Sequence, residues 1–267
     1  MNPRRSGLHP AALAAAVLVV AGLACGEVPT LPGGVAYISP VILPAPAVAF
    51  GDTLRDTLGV VTPIKLYGID NAGDTISTID PVFIVTTIPG PSVHITTAHL
   101  VIGDSVRTAT IVGQVGTRLQ TPPAPLDVVY QPDSIAASSA TSARFPPPTA
   151  SEVTSTVTLG VSVTSPPIGT VARAGVKSII VRYRVTRIFP AGASIPDTTL
   201  VLIDDTGRFQ LPTGRASNDT TDATGGASRR IRAIPLGFDS VEISASATNL
   251  KGVPLRGSPI RFMATTK

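Results

Sequence analysis

The sequence predicts an all-β protein made of two tandem antiparallel β-sandwiches behind an N-terminal export segment, and three observations carry that expectation. The 267 residues include 24 glycines and 26 prolines, and so many chain-turning residues break up long helices. Hydrophobic residues make up 43% and charged residues 14%, so the chain carries more apolar surface than a wholly disordered one. Short β-branched runs recur along most of the sequence, separated by Gly, Pro, Asp and Asn, the rhythm of strands joined by tight turns. At roughly 100–200 residues per domain the length allows one large domain or two ordinary ones. A single cysteine excludes a disulfide framework and any multi-cysteine zinc or iron–sulfur site, and no cofactor is expected.

The first element is an address. Arg4 and Arg5 precede an almost unbroken apolar run from Ala11 to Ala24. As a helix that run covers about 21 Å, short of a ~30 Å hydrocarbon core, so residues 1–24 read as a secretory signal. The ending Gly22-Leu23-Ala24-Cys25-Gly26 resembles a bacterial lipobox, with Gly22 standing where leucine is usual. The resemblance implies cleavage before Cys25, acylation of its thiol and membrane lipid as a partner through Cys25. Gly26 in place of aspartate implies the outer membrane of the cell envelope. A conventionally cleaved signal and an uncleaved anchor are the alternatives. The leader takes two of the 21 Lys and Arg with it and none of the 17 Asp and Glu, so the formal charge falls from +4 to +2. The basic pI therefore gives no ground for nucleic acid as a partner.

Residues 25–34, CGEVPTLPGG, read as a polar, breaker-rich tether. The first domain, 35–132, has candidate strands at Val35–Ser39, Ala47–Phe50, Ile64–Ile69, Val82–Thr86, Val93–Thr96, Thr108–Gly113 and Leu126–Tyr130. In the third of these Ile64, Leu66 and Gly68 alternate with Lys65, Tyr67 and Ile69, which favours a strand. A Ser/Ala/Thr tract followed by Pro146-Pro147-Pro148 reads as a flexible piece and then a stiff spacer, so 133–152 is expected to be a linker. The second domain, 153–267, has candidate strands at Thr156–Thr164, Lys177–Ile188, Thr198–Ile203, Arg208–Leu211, Ala227–Ile234, Ser240–Thr248 and Ser258–Ala264. Val181, Tyr183 and Val185 alternate with Arg182 and Arg184, and Val241–Ala247 alternates likewise, as half-buried strands with one wet face do.

Two segments resemble bacterial immunoglobulin-like domains. Strand Ile64–Ile69 running into Asp70-Asn71-Ala72-Gly73-Asp74-Thr75-Ile76 is similar to the early hairpin of the group 2 type, whose later tryptophan is absent here. Asp and Asn close such a turn with side-chain bonds and Gly supplies the positive φ. Thr220-Thr221-Asp222-Ala223-Thr224-Gly225-Gly226-Ala227 resembles the element that opens a late strand in the invasin/intimin type. The resemblance implies two immunoglobulin-like sandwiches in an exported lipoprotein, acting in surface adhesion, spacing or structural presentation and not in catalysis. A carbohydrate-binding or accessory module of an envelope complex is the alternative, against which stand four tyrosines and no tryptophan for sugar stacking.

Candidate chemistry is sparse. Asp205-Thr206-Gly207 after Val201-Leu202-Ile203 resembles the loop of aspartic proteases, a remote alternative that needs a second aspartate; a β-turn is the simpler reading. His94 and His99 are expected to be structural. Asp204, Asp205, Asn218, Asp219 and Asp222 are oxygen donors suited to calcium if they converge, with turn capping as the competing role. Arg182, Arg184, Arg229, Arg230 and Arg232 form a basic binding face for an acidic surface glycan or lipid headgroup if their two strands share a sheet; otherwise they are a solvated face. Asn218-Asp219-Thr220 matches a glycosylation acceptor, a chance match behind a bacterial signal.

Overall fold

The computed structural model describes residues 34–86, 90–147, 154–167, 169, 172–193, 199–204, 215–234 and 237–266. Cys25 with its lipobox, the tether before Gly34, Asp205 and the expected strand Arg208–Leu211 lie outside them. The described residues form strands and turns only.

The first unit has strands β1 (Tyr37–Ile38), β2 (Ala47–Ala49), β3 (Gly68–Ile69), β4 (Thr75–Ile76), β5 (Val82–Thr86), β6 (Val93–Ile95), β7 (Val101–Gly103), β8 (Thr108–Val115), β9 (Leu119–Gln120) and β10 (Ala124–Val129). They form sheets β1-β3-β4 and β2-β10-β8-β5, the latter with β9 on β8, and a pair β6-β7. Alternate residues of β8 and β10 point inward, so that Ala109, Ile111, Leu126 and Val128 are fully buried. Ile64 and Leu66 turn to the same core, which settles the facing of that imperfectly alternating run.

The second unit has β11 (Ser134–Ala137), β12 (Ser142–Arg144), β13 (Ser155–Thr164), β14 (Ile180–Phe189), β15 (Leu200–Ile203), β16 (Ala216–Thr220), β17 (Gly226–Ala233), β18 (Ser240–Ala247) and β19 (Ile260–Thr265). Its sheets, β11-β13-β17-β15 and β12-β19-β18-β14-β16, pack as an immunoglobulin-like sandwich. The apolar faces of β14 and β18 meet those of β13 and β17 in one core around Tyr183, whose hydroxyl donates to the Ala227 carbonyl at 2.9 Å. Burial pushes the Tyr183 phenol well above its ordinary range, the neighbouring Asp219 charge adding to the shift.

Both units enter in the same way. The opening segment divides between the two sheets, and its second part lies parallel to the unit's last strand: β2 beside β10, β12 beside β19. Among the described strands the pairings are therefore antiparallel except at this one pair in each unit.

The division corrects the expected linker. Residues 134–137 pair antiparallel with β13 and 142–144 pair with β19, so most of 133–147 is the opening of the second sandwich. Ile135 and Phe145 are buried, and Phe145 meets Phe238 edge-on with centroids 6.0 Å apart. The small residues read as flexible instead allow close approach, with Gly160 N–H donating to Ser139 Oγ at 2.8 Å.

The two units touch through more than the connecting peptide. Ala47 and Val129 of the first pack into the core of the second. Asp127 Oδ1 lies 2.6 Å from Lys177 Nζ and accepts from Thr108 Oγ1 at 2.5 Å, while Ser178 Oγ donates to Oδ2. The turn Asp56–Val60 is seated against the turn Asn249–Val253. A Cβ added to Gly59 would stand 2.2 Å from the Lys251 carbonyl oxygen, and one added to Gly252 would stand 2.4 Å from that of Leu58. Lys251 Nζ reaches Asp52 at 3.4 Å across the same contact.

Candidate functional site

The five arginines singled out in the sequence do not share a face. Arg182 and Arg184 lie on β14 in the five-stranded sheet, whereas Arg229, Arg230 and Arg232 lie on β17 in the four-stranded sheet. The alternation of β17 separates them further, because Arg229 points with Ala227 and Ile231 into the sandwich while Arg230 and Arg232 point out. Arg229 closes the edge of the sandwich. Its Nη1 pairs with Asp219 at 2.9 Å, its Nε donates to Ser217 Oγ at 3.0 Å, and its Nη2 donates to the Asn218 carbonyl, all on β16. Arg230 donates to the Asp204 carbonyl at 3.1 Å.

Of the carboxylates considered for calcium, Asp219 and Asp222 are engaged otherwise. Asp219 accepts from the Ser228 amide at 2.7 Å as well as from Arg229. Asp222 Oδ1 accepts from the amides of Thr224 and Gly226 at 2.8 and 3.0 Å and from the Thr224 hydroxyl at 2.7 Å. The Thr224 hydroxyl and these amides hold the Asp222 carboxyl below its usual range. Among the described residues no group of three or more His, Cys, Asp or Glu is placed to hold a metal ion. His94 and His99 are not on one strand: His94, on β6, faces Asp104 at 2.7 Å, and His99, in the turn that follows, stacks edge-on against Phe83.

What the fold does assemble is a basic face on the outside of the five-stranded sheet. The register sets Asn218, Arg182 and Ser246 in one row and Ala216, Arg184, Ser244 and Arg261 in the next. After a bulge between Val185 and Arg187, Arg187 lies beside Glu242. Arg144 continues the face on β12, opposite Thr265. Glu242 is held by Arg261 at 3.2 Å and by the Thr186 hydroxyl at 2.9 Å. Arg182, Arg184 and Arg187 are exposed. Arg187, Arg261 and Arg144 were missed in the sequence because each strand's alternation shows which residues share its wet side, not which strands lie next to one another.

This face runs into a cleft of about 670 Å³ between the units. Arg182, Asn218 and Ser246 line it from the sheet, Leu250 from the following turn, and Pro46 and Leu58 from the first unit. Its walls offer hydroxyls, carboxamides, the Arg182 guanidinium and the Asp56 carboxylate, which accepts from the Leu58 and Val60 amides.

No protein-family model matches the chain, and no curated protein matches it. Solved structures that align with it include the Yersinia pseudotuberculosis adhesin InvE, at 15% identity and a TM-score of 0.37 over 86% of this chain and 58% of that one. Domains 4 and 5 of the S-layer protein SbsC align at 11% identity and 0.31, over 86% of this chain and 99% of that one. The fibronectin(III)-like modules of Clostridium thermocellum CbhA align at 10% identity and 0.27, over 86% and 94%. The chain thus spans a little over half the length of the adhesin. The sandwich architecture stands on the strand order itself.

Proposed function

We propose that the chain is a non-catalytic lipoprotein of the bacterial cell envelope, in which two coupled sandwiches hold a binding face away from the membrane. The observation that carries the reading is the junction. Turn packs on turn at Gly59 and Gly252, an ion pair joins Asp127 to Lys177, and the second core includes side chains of the first unit. A spacer transmits position only if its units do not swivel, and such a joint restrains swivelling. The export segment and Cys25 support the anchored end, since several acyl chains hold a protein to a bilayer where one does so only marginally.

The test is Cys25→Ser in the full chain. Loss of labelled fatty acid and a shift from the membrane to the soluble fraction are expected. An unchanged membrane fraction with no lipid on the wild-type protein would remove the anchor from the proposal.

A further inference from the structure

We propose that the outer face of the five-stranded sheet, with the cleft into which it opens, binds an acidic polysaccharide. The inference rests on the reading of the chain as a non-catalytic presenting module, though not on its lipid anchor.

Charge is the first argument. Arg182, Arg184, Arg187, Arg261 and Arg144 share the face with Glu242. That carboxylate is already bound to Arg261 and Thr186. Arg182, Arg184 and Arg187 have no carboxylate partner among the described residues, so their charge is directed outward. The mature chain is close to neutral, which makes this concentration a local feature and not a reflection of net charge.

Spacing is the second. Arg182 and Arg184 lie two residues apart on one strand, about 7 Å, and Arg184 and Arg261 are separated by one strand, about 10 Å. Such a grid suits a polymer that carries acid groups at intervals along its length. Between the guanidinium groups stand Ser244 and Ser246, with Asn218 alongside, so hydroxyl and carboxamide groups are placed for the neutral hydroxyls of the same chain. Guanidinium forks match carboxylate and sulfate oxygens bidentately.

The surroundings select among polyanions. Base stacking in nucleic-acid recognition uses successive aromatic side chains, and the outward rows of this face supply only Phe189, at the end of β14 beside Ser240. Insertion into a lipid surface uses large apolar side chains gathered in a patch, and the outward rows supply Ile180, Met263 and Phe189, set in separate rows among the arginines and serines. Arg182, Asn218 and Ser246 belong both to the grid and to the cleft wall, so a chain lying along the first row enters the cleft.

The experiment is calorimetry of the purified full-length chain in detergent against polygalacturonate and heparin. Saturable binding to at least one, weakening as salt is raised, is expected. The double variant R182S/R184S is expected to bind at least about ten-fold more weakly, and R118S, which removes an exposed arginine of the first unit, to bind as the parent does. Melting curves matching the parent's would exclude unfolding as the cause, and both replaced residues are exposed. Absence of binding to either polymer, equal losses in the two variants, or tighter binding to duplex DNA or to phosphatidylglycerol vesicles would each overturn the proposal. Anchoring through Cys25 is not read by this measurement, so the two proposals fail separately.

Discussion

Four of the described turns are built from the same residue pattern. In Asp56–Val60, Asp70–Asp74, Asp222–Gly226 and Asn249–Val253 the first side chain accepts the amides two and four residues on. In each the fourth residue is a glycine at positive φ. The pattern is legible in the sequence, because an acceptor side chain followed by glycine three residues later is what such a turn requires. Which turns meet each other is not legible, and that decides their sensitivity. Gly73 has φ +91° and open space around it, whereas Gly252 has φ +78° and faces the Leu58 carbonyl. Gly73→Ala is expected to cost about 1–2 kcal/mol for the left-handed backbone alone. Gly252→Ala adds a collision with main chain and is expected to lose about 3 kcal/mol or more. Urea unfolding of the two variants would check the order, and equal losses would mean that the turn-on-turn seat contributes nothing.

At the level of elements, alternation gave the buried faces of β14 and β18 correctly, since Val181, Tyr183, Val241 and Ile243 are all fully buried. It failed where a strand breaks the convention that charges face water. Arg229 lies on the apolar side of β17 with only 9% of its surface exposed, a position that three arginines within four residues do not disclose. Its guanidinium can lie there because β16 offers Asp219, Ser217 and a carbonyl at the edge of the sandwich. The Ser/Ala tract failed for the opposite reason: composition cannot separate a flexible tract from a strand of small residues laid close to a neighbour. Arg229→Ala is expected to destabilise the second unit by about 2–4 kcal/mol, because Asp219 then keeps its burial without its ion-pair partner. The double variant D219A/R229A is expected to lose less than the sum of the two single losses. Thermal denaturation of the three variants measures this coupling, and simple additivity would show that the pair does not act as a clamp.

For the whole molecule the question is whether two sandwiches unfold as one, and Asp127 supplies a handle. Burial pushes its carboxyl upward, but hydrogen bonds from Lys177, Ser178 and Thr108 outweigh this and hold it below the ordinary value. Asp133 and Asp52, which pair across or beside the same junction with Arg173, Arg256 and Lys251, are lowered as well. A carboxyl lowered in the folded state contributes its full stabilisation above the unfolded value, near pH 4, and loses it as pH falls through the folded one. Coupling between the units is therefore expected to be constant from neutral pH to about pH 5, to weaken below about pH 4, and to be lost only as pH falls through the folded value. At pH 7 the parent is expected to melt in a single cooperative transition, and Asp127→Ala, which leaves Lys177 unpaired, in two. Only at about pH 2, with the carboxyl protonated in both states, should the parent come to resemble the variant. If Asp127→Ala melts in two steps at neutral pH while the parent still melts in one at about pH 2, the junction depends on Asp127 but not on its titration. If both melt in one step throughout, the coupling lies in the glycine turns and the shared core instead, and Gly252→Ala becomes the variant that separates the units.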